Sequence, residues 1–181
     1  IKHERGYMYA SNGHILAKIK QNYPEEREGK AFDRKGQSVT SSVDYEKVIP
    51  KKREKDYSIS NDEINNLRIA ARNTYCTDSS DYYIMIDTWQ PIMYKGVEHI
   101  MAFKAEYLHA AFRLFELKNA NPKIRISTSN MIVFESTDGT TILIMPAMIK
   151  VKEKEEYIYQ TLTVSEAMNY KSKERAWYEE K

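Results

Sequence analysis

The stretch Tyr7–Ile19, YMYASNGHILAKI, sets two apolar segments on either side of a polar break, Ser11-Asn12-Gly13. It reads as a β-hairpin, Gly6–Ala10 against His14–Lys20. Asn12-Gly13 is the expected turn, because Asn-Gly accepts the positive φ angles that the tightest hairpin loops require. The hairpin raises a question. His14 stands at the mouth of the second strand, where it is either an ordinary surface residue or part of a binding loop.

Outward from the hairpin, Gln21–Lys35 is polar, contains Pro24 and Gly29, and reads as a loop. Gln37–Ser42 and Tyr57–Ile59 read as short strands, separated by the solvated basic run PKKREK at Pro50–Lys55. Ser60 and Glu63 form a capping box, and Ile64, Leu67 and Ala71 follow at helical spacing to about Asn73. Tyr82–Asp87 is strand-like, and Pro91–Phe103 reads as a hairpin turning at Lys95-Gly96. Lys104–Lys118 puts Tyr107, Leu108, Ala111, Leu114 and Phe115 on one stripe, which predicts a second helix. Strands are expected at Ile124–Thr128, Met131–Glu135 and Thr140–Ile149, the last entered through Asp138-Gly139. This order lacks regular βαβ alternation, so the fold class is α+β, with two helices packed on one face of antiparallel sheet. Beyond Lys150 come the charge run KVKEKEE, a strand-like Tyr157–Val164, and a Thr163/Glu166 capping box opening a helix to about Glu179. This extension reads as a packed or oligomer-forming appendage.

The 181 residues are 41% hydrophobic, enough for a real core. Lys plus Arg total 28 against 26 for Asp plus Glu, a formal charge of +2, so any nucleic-acid surface must be local. The single cysteine, Cys76, excludes an internal disulfide and a Cys-based zinc site. Together with the lack of a visible signal peptide it fits a cytoplasmic protein. No apolar run approaches membrane-spanning length. His3, His14, His99 and His109 show no helical metal-ligand spacing, and neither nucleophile elbow nor phosphate loop occurs. The expectation is a protein without catalytic residues, metal or cofactor.

Four segments, in order, resemble the bacterial DNA polymerase III β subunit family, the sliding clamps. YASNGHILA (Tyr9–Ala17) resembles that family's T-D-G-H-R-L-A loop. VDYEKVIPKK (Val43–Lys52) is similar to its F-P-D-Y-x-x-V-I-P-K segment. FKAEYLHAAFRLF (Phe103–Phe115) matches the helix before its final strands, and LIMPAMI (Leu143–Ile149) its V-x-M-P-M-R-L ending. The resemblance divides the chain into 1–42, like the end of the clamp's middle domain, 43–149, like its last domain, and a charged extension, 150–181.

The resemblance implies a processivity factor that tethers DNA polymerase or other replication and repair proteins through a cleft for short hydrophobic peptides. Carried over position by position, the cleft takes Asn12, Gly13, His14, Ile15 and Leu16 from the loop, and Lys47 and Val48 from the linker segment. Tyr107 comes from the helix, and Leu143, Ile144, Met145, Pro146, Ala147, Met148 and Ile149 form the floor. Flexible Met145 and Met148 suit an adaptable apolar pocket. The family's helices also face double-stranded DNA, which makes Arg68, Arg72, Arg113 and Lys118 candidate phosphate contacts. Ile15 stands where the family has arginine, and Ala147-Met148-Ile149 replaces M-R-L, so the preferred peptide is expected to differ. The family closes a ring of six domains from two three-domain chains. This chain has the length of one such domain and part of another, so the alternatives are a homo-oligomeric ring and a non-ring binding module that keeps the clamp fold.

Overall fold

The computed structural model describes residues 1–41, 43–75, 82–86 and 91–162. In chain order, the elements begin with β1 (Lys2–Glu4), β2 (Tyr7–Ser11), β3 (Ile15–Lys20), β4 (Ala31–Phe32) and β5 (Ser38–Val39). Next come α1 (Tyr45–Val48), β6 (Tyr57–Ser58), α2 (Asn61–Tyr75), β7 (Tyr83–Ile86), β8 (Ile92–Tyr94) and β9 (Val97–Lys104). The remainder are α3 (Ala105–Leu117), β10 (Lys123–Ile126), β11 (Ile132–Glu135), β12 (Thr141–Ile144), β13 (Ala147–Lys150), α4 (Lys154–Tyr157) and β14 (Ile158–Leu162). The class is α+β. Among the described residues no helix is long and apolar enough to cross a membrane.

The chain forms two compact units, each from two segments. The first is Ile1–Ser58 with Phe115–Met145, and the second is Ile59–Leu114 with Pro146–Lys181. The first unit holds a nine-stranded sheet, β5-β4-β1-β2-β3-β12-β11-β10-β6, antiparallel throughout. The N-terminal hairpin therefore shares one sheet with strands more than a hundred residues downstream, through Leu16 against Leu143 and Ile15 against Ile144.

Strand alternation sorts the side chains of this sheet. One face carries Ile15, Ile144, Ile132 and Ile126 in one row and Ala17, Ile142, Phe134 and Ile124 in the next. Ile132, Phe134 and Ile144 are fully buried there, and the Phe134 ring stacks on Phe115 at 6.1 Å. Each such side chain contributes about 1.5–3 kcal/mol on burial. The opposite face is mixed: Lys2, Tyr9, Lys18, Thr141 and Glu135 in one row, then Leu16, Leu143, Val133 and Arg125.

The second unit holds a sheet ordered β13-β9-β7-β14, with β8 paired on β9. The Lys95-Gly96 turn joins β8 and β9 as expected, both residues taking positive φ (50° and 74°). The β7–β14 pair is parallel, a departure from the all-antiparallel expectation. The long stretch of chain between the two strands makes that direction possible, since parallel neighbours need a long crossover. In α2, Ile64, Leu67 and Ala71 face inward, as their spacing predicts, and the helix packs against β7 and β14. The capping box forms: the Ser60 N–H donates to Glu63 Oε2 at 2.7 Å, and the Glu63 N–H to Ser60 Oγ at 3.3 Å. Helices α2 and α3 lie side by side. The Arg68 guanidinium sits 5.3 Å from the Phe112 ring centroid, and Tyr75 stacks on His109 at 4.4 Å.

Two local expectations are corrected. Thr140–Ile149 is not one strand. It breaks at Met145-Pro146, with β12 in the first unit's sheet and β13 in the second's. Pro146 has no N–H to continue a ladder, so the chain changes sheets there. The hairpin turn is centred one residue later than expected, on Gly13-His14, as described below. Of the extension, Val151–Glu153 forms a 3-10 turn, and α4 and β14 follow. The helix expected beyond Thr163, and Cys76, lie outside the described residues.

Candidate functional site

The His14 turn is built by its polar residues. Asn12 Oδ1 accepts the N–H groups of both His14 and Ile15 at 3.0 Å, and Ser11 Oγ accepts that of Gly13 at 3.1 Å. The Asn12 N–H donates to the Ile15 carbonyl at 3.3 Å, so Gly13 and His14 are the central residues of the turn. Gly13 takes φ +91°, and Asn12 stays at negative φ. A glycine in the first central position with positive φ is the pattern of a type II′ hairpin turn. Asn12 thus acts by its side chain rather than its backbone, and His14 is carried to the exposed tip.

The same turn is tied to the end of β12. The Met145 N–H donates to the His14 carbonyl at 2.9 Å, extending the β3–β12 ladder by one bond. The loop and the strand end, far apart in sequence, are therefore adjacent. Beside them, Leu16, Val133 and Leu143 form a buried cluster against which Tyr45, Ile49 and Met131 pack. Helix α1, with Lys47 and Val48 exposed, lies at this margin. Met145 and Val48 are each 45% exposed.

Alternation divides the expected cleft residues of this unit. Leu16 and Leu143 face the α1 segment, while Ile15 and Ile144 point to the opposite face, where Ile144 is fully buried in the core. Tyr107 and Pro146–Ile149 belong to the second unit. Tyr107 is half-buried on α3, 5.7 Å from the Lys104 ammonium. On β13, Met148 is exposed and Ile149 is buried with Ile100 and Met85.

The segment after Val43 is held over the mixed sheet face by charge. The Tyr9 hydroxyl donates to Glu46, Lys18 Nζ lies 2.6 Å from the same carboxylate, and Tyr9 stacks on Tyr45 at 5.6 Å. Burial, and then the Glu46 hydrogen bond, push the Tyr9 phenol far above its ordinary pKa. Burial raises the Glu46 pKa, but hydrogen bonds from Lys18 and Tyr9 outweigh it and hold the carboxyl below its ordinary value. Further along, buried Arg125 donates to Asp56 Oδ2 at 2.6 Å, to the Pro50 carbonyl at 2.6 Å and to Glu135 Oε1 at 3.1 Å. Asp56 also accepts the N–H groups of Arg53 and Thr128, each at 3.1 Å.

Between this segment and the row Lys2–Tyr9–Lys18–Thr141–Glu135 lies an open groove of about 1190 Å³. Its carboxylates are internally paired: Glu4 with Lys2 (2.9 Å), Glu46 with Lys18 (2.6 Å), Asp44 with Lys47 (3.2 Å) and Glu135 with Arg125 (3.1 Å). Arg5, Lys51, Lys52 and Arg53 line it without an ion pair among the described residues. From sequence alone, PKKREK reads as a solvated loop. Only the fold brings it to face Arg5 and Lys18.

The candidate phosphate contacts are scattered. Arg68 packs on Phe112, and Arg72 and Arg113 are exposed on the helices of the second unit. Lys118 lies in the first unit, one residue past α3, where Asp138 engages it at 2.9 Å. Among the described residues, no three His, Cys, Asp or Glu side chains converge as a metal site. In comparison with known proteins, no family model, no curated protein and no solved structure matches the chain.

Proposed function

We propose that this protein is a sliding-clamp-like tethering factor, which docks replication or repair partners through a short hydrophobic peptide seated beside the His14 turn. The observation that carries this reading is the Met145 N–H bond to the His14 carbonyl. It joins two of the segments that resemble the clamp cleft, with the third, at Tyr45–Ile49, packed alongside. Exposed Met145 and Val48 offer apolar surface to a ligand, and the rigid hairpin offers polar groups at its rim.

Binding draws on two large apolar peptide side chains, each contributing about 1.5–3 kcal/mol when fully desolvated. Ordering of the peptide opposes this, so the expected Kd is roughly micromolar or weaker. Titration with a peptide carrying a Leu-x-Leu-Phe motif is the test. Met145→Asp should abolish binding, because it sets an unpaired charge in the apolar contact. His14→Ala should weaken it by no more than about 1.5 kcal/mol, the net contribution of a rim hydrogen bond. A protein that ignores every such peptide at millimolar concentration is not a tether of this kind.

The engagement of Lys118 by Asp138 and of Arg68 by Phe112 favours a second reading, a non-ring module that binds the peptide without encircling DNA. The mass in solution separates the two. A chain that stays monomeric at high concentration forms no ring.

A further inference from the structure

We propose that the groove next to this cleft binds an acidic flank of the same partner peptide, with Arg5, Lys51, Lys52 and Arg53 meeting its carboxylates. The proposal rests on the cleft reading for the position of the peptide's apolar anchor. The two sites share a wall: Ile49 packs on the Leu16–Val133–Leu143 cluster and also lines the groove. A peptide leaving the cleft past α1 therefore enters the groove directly.

The charge balance selects an anionic occupant. Each carboxylate of the groove is already paired within the protein, which leaves four cations without an ion pair among the described residues. The backbone that carries them is also held in place. Arg125 grips the Pro50 carbonyl, and Asp56 takes the Arg53 N–H, so the backbone of the Lys51–Arg53 run is pinned at both ends. Arg5 sits in a tight turn with Gly6, both at positive φ (54° and 76°), and its N–H is held by Glu28 at 2.8 Å. A backbone ordered before binding costs less to engage.

The groove suits a peptide better than a nucleic acid. Its aromatic residue, Tyr9, is 2% exposed and stacked on Tyr45, so it presents no free ring face for a base. The paired carboxylates Glu4, Asp44, Glu46 and Glu135 line the groove together with the cations. That arrangement matches discrete peptide carboxylates and opposes an unbroken run of phosphates.

The experiment compares labelled peptides on the full chain: Ala-Leu-Ser-Leu-Phe alone, and the same peptide with four aspartates appended at either end. A twelve-nucleotide oligothymidylate serves as competitor. An extension at one end should tighten binding about tenfold at low salt, and the gain should shrink as salt rises from about 50 to about 300 mM. Lys51→Glu with Lys52→Glu should remove the gain and leave binding of the unextended peptide unchanged. Lys51→Gln with Lys52→Gln, checked for native circular dichroism, should remove part of it. No gain from either extension, or a gain that survives charge reversal, overturns the groove and leaves the cleft standing. Binding of only the extended peptides, lost on charge reversal, supports the groove and overturns the cleft. Oligothymidylate that binds more tightly than the acidic peptides and displaces them overturns the assignment to a peptide.

Discussion

Truncating Arg125 to alanine strands a buried carboxylate. Asp56 is 1% exposed at its side chain and lies 2.6 Å from the guanidinium, while Arg125 itself is 4% exposed. Breaking a buried pair from one side leaves an uncompensated charge and costs about 3–5 kcal/mol. Asp56 keeps the N–H groups of Arg53 and Thr128, which sets the expected loss near the lower end, about 3 kcal/mol. With a urea slope of about 2 kcal/mol per molar, the unfolding midpoint should fall by about 1.5 M. Urea titration followed by far-ultraviolet circular dichroism measures it. Glu135→Gln should cost no more than about 1 kcal/mol, because Glu135 is 38% exposed and water compensates it. Arg125→Met combined with Asp56→Asn removes the buried ion, leaves only the 38% exposed Glu135 to water and gives up one of the two N–H acceptors, so it should recover part of the loss. A single Arg125→Ala variant within about 1 kcal/mol of the parent, or a double variant no better than the single, refutes the account of a buried network holding Pro50–Asp56.

Gly139 has φ +83°, and a Cβ there would meet the Tyr7 Oη at 2.6 Å, so Gly139→Ala should destabilise by about 1–2 kcal/mol in thermal unfolding. The same change in a Tyr7→Phe background should cost less, since the nearest remaining ring atoms are 3.4 Å away. Ser60→Ala removes the reciprocal cap of α2 and should cost about 0.5–2 kcal/mol, read by chemical denaturation. The Ser136 hydroxyl, then the Thr140 N–H and Lys118, hold the Asp138 pKa well below its usual 3.8. Because the folded pKa is depressed, its contribution is complete above about pH 5 and is lost as pH falls from there toward the folded pKa. Asp138→Asn should flatten that part of the stability profile, and an unchanged acid limb counts against the contact.

What could be read from the sequence was local. The capping box at Ser60–Glu63 and the apolar spacing of Ile64, Leu67 and Ala71 carry their own geometry, so α2 forms where expected. The turn lies one residue beyond the Asn-Gly expectation because Asn12 can serve it in two ways, by backbone or by side chain, and the dipeptide alone does not choose. The sheet change at Pro146 was hidden because an apolar strand looks the same in either sheet. The Arg125–Asp56 pair spans 69 residues, and no spacing rule reaches that far. Of the candidate site, the chain order of the resembling segments pointed to the join between His14 and Met145. The groove was not legible, because its cations come from Arg5 and Lys51–Arg53, which only the fold assembles. The parallel pairing of β14 with β7 likewise depends on long-range register rather than on local pattern.

The pairing of β3 with β12 sets a timetable during synthesis. Lys18 on β3 cannot meet its partner Thr141 until more than a hundred further residues have left the ribosome. At roughly 5–20 residues per second that is a wait on the order of ten seconds. Throughout it, the nascent hairpin presents Ile15, Leu16 and Ile19 along an open strand edge, the kind of surface that recruits stray strands. The first unit is therefore completed only after the chain has emitted both long helices. A nascent-chain holdase covering the hairpin, or slow addition of denatured chain in refolding, should raise the yield of soluble protein more than any change made to the later strands.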